Sequence, residues 1–219
     1  MDDEEKLVGI VTVDDIIDVI EEEASEDIYA LAGTTEDPEA VHAPMRMVFR
    51  RLPWLMVTML GEFLIAWTIR GYEQSLLAVV FALVLFIPVI MATGGNVGTQ
   101  SLAIAVRSIA LGESAGRNMY QVIGREALVG AMLGLACGLF TGLAAALWLG
   151  MYALGLIILI AMTITLTFSA VLGALIPMAF KAAGRDPALA SGPFITTLND
   201  ITSVTIYFVL ATQLLHLFR

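Results

Sequence analysis

Five long apolar runs dominate the chain after position 52, at residues 53–69, 76–92, 128–149, 154–180 and 194–218. Each is near the roughly 20 residues that an α-helix needs to cross about 30 Å of hydrocarbon, so the pattern predicts five transmembrane helices. The head is different. The run LVGIVTV at 7–13 is rich in β-branched residues and predicts a strand, after which Asp14 is placed to cap a helix through IIDVIEEEASEDIYAL. One strand and one helix cannot bury a core, so either sequence precedes this unit or the strand docks on a partner. GTTEDPEAVHAP has the composition of a linker, and MRMVFRRL that of a short basic helix on the membrane surface.

Composition agrees with this division. Hydrophobic residues make up 58% of the chain and charged residues 15%, which excludes an ordinary soluble globule. Fifteen of the 21 acids lie in residues 1–39, where Lys6 is the sole base; six acids and ten bases follow. An acidic head on a mildly basic body is a poor match for nucleic acid. MDDEEK lacks the basic start of a secretory signal. Arg46, Arg50, Arg51, Arg107, Arg117, Arg125, Lys181 and Arg185 flank the spans on one side, against Arg70 and Arg219 on the other. That bias places the head in the cytoplasm and the C-terminus outside.

Several features carry candidate chemistry. The second span is interrupted: TGGNVGTQS, with Gly94, Gly95 and Gly98 beside Asn96, Thr99 and Gln100, is expected to open the helix and free backbone carbonyls. Such a break builds an ion or substrate site, or is a plain re-entrant or cytoplasmic turn. Asp200 lies inside the fifth span, where a carboxylate costs about 2.5 to 3.5 kcal/mol at a helix centre. Gly192, Thr196, Asn199, Asp200, Ser203 and Tyr207 recur at three- and four-residue steps and predict one polar stripe that faces water or another helix. A hydrogen-bonded seam explains its hydroxyls, but a carboxylate without a nearby base favours an ion pathway. Glu62 and Glu126 are further acids in or beside spans, suited to a proton relay, an interfacial pair or a polar groove between subunits.

Other features have plainer readings. Gly130, Gly134, Gly138 and Gly142, extended by Ala146 and Gly150, form a ridge for close helix packing. Cys137 is a small buried side chain, and His42 and His216 are isolated. With no Ser-His or metal-His set beside Asp200, the chain does not read as an enzyme. Asp14, Asp15, Asp18, Glu21, Glu22, Glu23, Glu26 and Asp27 crowd about four turns without balancing bases, giving either a solvated face or a sensor of hard divalent cations.

TGGNVGTQS, GRDPALASGPFITTLNDITSVTIYF and LVGIVTVDDIIDVIEEEASEDI together resemble the MgtE family of magnesium channels, in the family's order and over nearly the whole chain. The resemblance implies residues 1–20 as the C-terminal remnant of a CBS domain, 21–51 as an acidic plug helix with its linker, and 52–219 as the channel domain. The implied fold is an all-α membrane protein, a homodimer with five transmembrane helices per subunit, preceded by a cytoplasmic strand-helix remnant. Asp200 is implied to bind hydrated Mg²⁺, helped by backbone oxygens near Thr196 on the fifth helix and near Ala92 and Gly95 on the second. Asp14, Asp15, Asp18, Glu23, Glu26 and Asp27 are implied to sense cytosolic Mg²⁺ and close the pore. Thr12 and Asp15 match the CBS pattern for ATP, should the missing part of that domain be present.

The expected function is a magnesium uptake channel of the bacterial inner membrane, with lipid, divalent cations and a second copy of the chain as partners. The alternative is an ion-coupled divalent cation antiporter that uses Glu62 and Glu126.

Overall fold

The computed structural model of the chain describes residues 10–34, 44–76, 80–112, 119–190 and 192–217. Its helices are α1 (Val13–Leu31), α2 (Pro44–Leu76), α3 (Val80–Val84), α4 (Ile87–Ala110), α5 (Met119–Leu149), α6 (Tyr152–Ala182) and α7 (Gly192–Leu217), with a 3₁₀ turn at Pro187–Leu189. Five stretches are long and apolar enough to cross a membrane: Met47–Tyr72, Phe81–Ala110, Met119–Leu149, Tyr152–Ala182 and Gly192–Leu214. The protein is an all-α membrane protein, as the apolar runs predict.

The head departs from expectation. No strand forms among the described residues: 10–12 are irregular and Val13 is already helical, while 7–9 lie outside the described residues. Thr12, not Asp14, caps α1. Its N–H and hydroxyl both donate to Asp15 Oδ2 at 2.7 Å, and Asp15 N–H donates back to Thr12 Oγ1 at 3.3 Å. This reciprocal box satisfies the open end of the helix, whereas a lone strand has no neighbour to complete its ladder. The same bonds hold the Asp15 carboxyl below its usual value.

The predicted surface helix and first span are also one element, α2, which runs through Pro53 without stopping. Membrane helices tolerate such prolines because neighbouring groups satisfy the freed carbonyl. Most of the expected linker, residues 35–43, lies outside the described residues.

Helix α6 forms the centre of the bundle. Its Leu154, Ile157, Ile158, Ala161, Met162 and Leu166 are fully buried. The glycine ridge of α5 lies against it: Gly130, Gly134, Gly138 and Gly142 face the α6 backbone at Leu166, Thr163, Leu159 and Gly155. A Cβ at Gly134 would stand 2.5 Å from Thr163 Cα, so the two axes approach as closely as backbone permits. Ala146 extends the ridge toward Gly155. Gly150 does not. It adopts φ 66° in the turn between α5 and α6, a conformation that suits glycine.

Candidate ion site

The second span is broken, but not where the glycines predict. TGGNVGTQS is continuous helix within α4, and the interruption falls at residues 85–86, between α3 and α4. Pro88 explains the position, because a proline lacks an N–H and its ring clashes with the carbonyl four residues earlier. Phe86 N–H donates to Leu83 O at 3.2 Å, and the Tyr207 hydroxyl of α7 donates to the same carbonyl, also at 3.2 Å. A buried side chain of another helix thus adds a hydrogen bond beside the break.

The three glycines of α4 act as contact points. A Cβ at Gly94 would lie 2.7 Å from Asn199 Nδ2, one at Gly95 3.5 Å from Thr196 Cγ2, and one at Gly98 3.1 Å from Ile195 Cγ2 and 3.6 Å from Ser169 O. Gly173 of α6 meets Gly98 O from the other side. Small residues here bring α4, α6 and α7 together, which places the second and fifth spans side by side.

That approach forms a groove of about 420 Å³ between α4 and α7, lined by Ile87, Pro88, Met91, Ala92, Gly95, Asn96, Thr196 and Asp200. Four sequence candidates, Asp200, Thr196, Ala92 and Gly95, therefore border one space. Asn96 joins them; its signal was its place one turn after Ala92 and beside Gly95. Asp200 is partly exposed and stands eight residues into α7, about 12 Å from its start.

The opened helix expected at TGGNVGTQS does not form, because α4 is continuous through that segment. Gly95 O receives the Thr99 hydroxyl at 3.0 Å, and Thr196 Oγ1 donates to Pro193 O at 3.1 Å. The groove offers a cation one carboxylate, one amide and hydroxyl lone pairs. Mg²⁺ demands six oxygens near 2.0 to 2.1 Å and dehydrates reluctantly, so this donor set suits an ion that keeps most of its water. Six waters at roughly 30 Å³ each fill about 180 Å³, less than the groove holds.

The polar stripe of α7 divides between two faces. Thr196 and Asp200 face the groove, whereas Asn199, Ser203 and Tyr207 are buried in the bundle. Asn199 bonds Ser169 of α6, and Ser169 in turn meets Thr165 O at 2.8 Å. Asn199 Nδ2, Thr165 Oγ1 and Ser203 Oγ find no hydrogen-bond partner among the described residues. This half of the stripe is a structural seam.

The remaining acids occupy separate places. Glu62 is exposed on α2 and interacts electrostatically with Asp200. It follows Gly61, which sits against Thr197 of α7. Glu126 accepts from Ser101 at 2.8 Å in a different cavity, between α4, α5 and α6. The two acids do not share one site.

The acidic head meets the membrane domain through the end of α1, where Ala30 and Leu31 pack on an apolar cluster of Leu102, Val106, Ala188, Ala190 and Ile195. The C-terminal end of α1 reaches the start of α7: a Cβ at Gly33 would lie 2.8 Å from Pro193, and one at Gly192 3.0 Å from Leu31 O. Asp186, which caps the 3₁₀ turn by accepting from Ala188 N–H at 2.9 Å, acts electrostatically on Asp27. Burial, then Asp186 and Glu23, push the Asp27 carboxyl above its usual value. Asp14, Asp18, Glu23 and Glu26 are exposed along α1. Among the described residues no three acids, histidines or cysteines cluster closely enough to hold a metal ion. Thr12 and Asp15, the nucleotide candidates, are both engaged in the cap of α1.

The family model for MgtE, described as a divalent cation transporter, matches residues 87–210. The chain is 42% identical over 217 residues to a protein of Enterococcus faecalis named magnesium transporter MgtE, covering 99% of the chain and 48% of that protein. The same name belongs to relatives in Bacillus subtilis, 39% identical over 96% of the chain and 46% of the relative, and in Thermus thermophilus, 36% identical over 98% and 48%. The chain spans about half the length of these curated relatives. With the family model matching more than half of its length, and in the part that holds the α4–α7 groove, the chain belongs to the MgtE family of divalent cation transporters.

Proposed function

We propose that this chain forms the membrane pore of a magnesium uptake channel, in which two copies face each other across their α4–α7 grooves and pass hydrated Mg²⁺ between paired Asp200 carboxylates. One observation carries the reading: Asp200, the aspartate of a membrane span, borders a groove that no basic side chain lines. Each groove supplies a single carboxylate, so a second copy would double the negative charge where the ion passes. Thr196 and Asn96 would receive the water shell, which avoids the cost of stripping it. The names of the relatives supply the choice of Mg²⁺ among divalent cations.

In this reading the chain lies in the bacterial inner membrane with α1 in the cytoplasm. An inward potential drives the ion at about 2.3 kcal/mol per charge per 100 mV, doubled for a dication. Gating follows from where α1 ends. Its last turn abuts the start of α7, and Asp27 feels the charges of Asp186 and Glu23. Hydrated Mg²⁺ gathered beside these acids would screen their repulsion and hold α1 over the entrance, whereas low cytosolic Mg²⁺ would release it.

The test is Mg²⁺ flux into vesicles holding the purified chain under an imposed potential. Asp200→Asn is expected to lower flux at least about a hundredfold, the loss of a charge that meets the ion directly. Mg²⁺ added on the α1 side is expected to reduce flux. An Asp200→Asn protein that conducts like the parent would overturn the pore assignment. Flux indifferent to Mg²⁺ on the α1 side would overturn gating alone.

A further inference from the structure

The cavity that holds Glu126 plays no part in the α4–α7 groove. It measures about 530 Å³, inside the roughly 300–1,000 Å³ typical of small-molecule sites. Val97, Ser101, Ile104 and Ala105 line it from α4, whereas Met91, Ala92, Gly95 and Asn96 line the groove. At 100° per residue these sets fall on opposite faces of α4, so the cavity looks away from the proposed pore.

Its polarity is graded along α5. Gln121, Arg125 and Glu126 come first, and Val129 and Leu133 follow. Arg125 stands six residues into a 31-residue helix, about 9 Å from its end. Such a helix is about 46 Å long and overruns a hydrocarbon core of about 30 Å by roughly 8 Å at each end, so Arg125 falls at the boundary between headgroups and chains. Below it, the partly exposed Val129 and Leu133 face the exposed Ile104 of α4, and the cavity opens sideways toward lipid. The mouth combines opposite charges: an exposed guanidinium, and a carboxylate that Ser101 holds by one oxygen at 2.8 Å. The other oxygen is left for an incoming donor.

We propose that this cavity binds an aminophospholipid of the phosphatidylethanolamine type. Its phosphate pairs with Arg125, whose planar fork matches phosphate oxygens. Its ammonium donates to Glu126, and one acyl chain lies along Ile104, Val129 and Leu133. Charge complementarity favours this occupant: phosphatidylglycerol would offer Glu126 only neutral hydroxyls and no cation, and a choline headgroup has no N–H to give it. Basic pockets between helix ends are general sites for phospholipid headgroups.

Native mass spectrometry of the purified chain, extracted in mild detergent from membranes of mixed lipid, tests the assignment. The parent is expected to retain phosphatidylethanolamine at detergent levels that strip phosphatidylcholine and phosphatidylglycerol. Arg125→Gln should lower retention of every phospholipid at least about tenfold, and Arg125→Lys should recover part of it. Glu126→Gln should keep phospholipid bound but erase the preference for ethanolamine over choline. Leu133→Trp, at a lipid-facing position, should fill the tail end and expel lipid whatever its headgroup. An unfolding temperature matching the parent's identifies the folded variants. The assignment is overturned if the parent shows no headgroup preference, if Arg125→Gln retains lipid like the parent, or if a cross-linker at position 104 joins two copies and shows the cavity to be covered by protein.

Discussion

The Asn199 amide stands where a side chain at Gly94 would be, 2.7 Å from the Cβ that any larger residue would add. Asn199 is buried and tied to Ser169, so it cannot swing aside freely. Gly94→Ala is therefore expected to destabilise the protein by about 1 to 3 kcal/mol, the usual cost of overpacking. Gly124→Ala is the control. Among the described residues nothing beyond its own stretch of helix lies within 4 Å of that added Cβ, and replacing a helical glycine is expected to gain about 0.5 to 1 kcal/mol. Thermal unfolding in detergent should move the two variants in opposite directions.

Tyr207 connects α7 to the break between α3 and α4 by donating to Leu83 O at 3.2 Å. Tyr207→Phe keeps the ring and its edge contact with Phe208, 5.8 Å between centroids, but leaves that carbonyl one partner short. The expected loss is about 0.5 to 1.5 kcal/mol. Backbone hydrogen exchange should quicken around residues 83–87 and not in α5. Uniform protection in the variant would refute the role of Tyr207 as a cap.

Glu62 adds a second negative charge near Asp200 from outside the groove. Its expected contribution is local cation concentration rather than binding. Glu62→Gln should lower Mg²⁺ flux about two- to fivefold at low ionic strength, with the difference shrinking as salt screens the field. A loss as complete as that of Asp200→Asn, unchanged by salt, would instead make Glu62 a ligand of the ion.

The contact between α1 and the membrane domain should depend on pH. Asp27 has its carboxyl raised by burial, Asp186 and Glu23, so the docked state holds the proton more tightly than the undocked state. Docking is then strongest in acid, and it weakens as pH rises from the ordinary carboxylate value through the raised one. A spin-label distance between positions 28 and 189 should be short and narrow at low pH and broaden toward neutrality. Asp27→Asn should hold it narrow throughout. A parent distance that does not change with pH would show that this carboxyl does not oppose docking.

Much of the architecture is legible in the apolar runs alone. Residues 128–149 and 154–180 announce α5 and α6, and the four-residue glycine spacing announces their close packing, because transfer into lipid and helical periodicity are properties of a segment on its own. Asp200 stands out for the same reason: its cost in hydrocarbon is local. The head was less legible, since a β-branched run predicts a strand only if a neighbour completes its ladder, and the Thr12 cap prevails among the described residues.

The interior of the site was not legible in this way. Gly94, Gly95 and Gly98 suggest an opened helix until Asn199, Thr196 and Ile195 are seen to occupy the space beside them. The break falls at Pro88 instead, and beside it Leu83 O accepts from Tyr207 of a helix more than a hundred residues away. The stripe on α7 looks uniform by spacing, yet α6 claims Asn199 and leaves Asp200 to the groove. Membrane crossing, span count and the presence of a misfit carboxylate follow from the chain order, since each is an energy summed over neighbouring residues. Which polar group is buried in a seam and which meets an ion depends on the helices alongside, and their positions are set by packing between segments far apart in the chain.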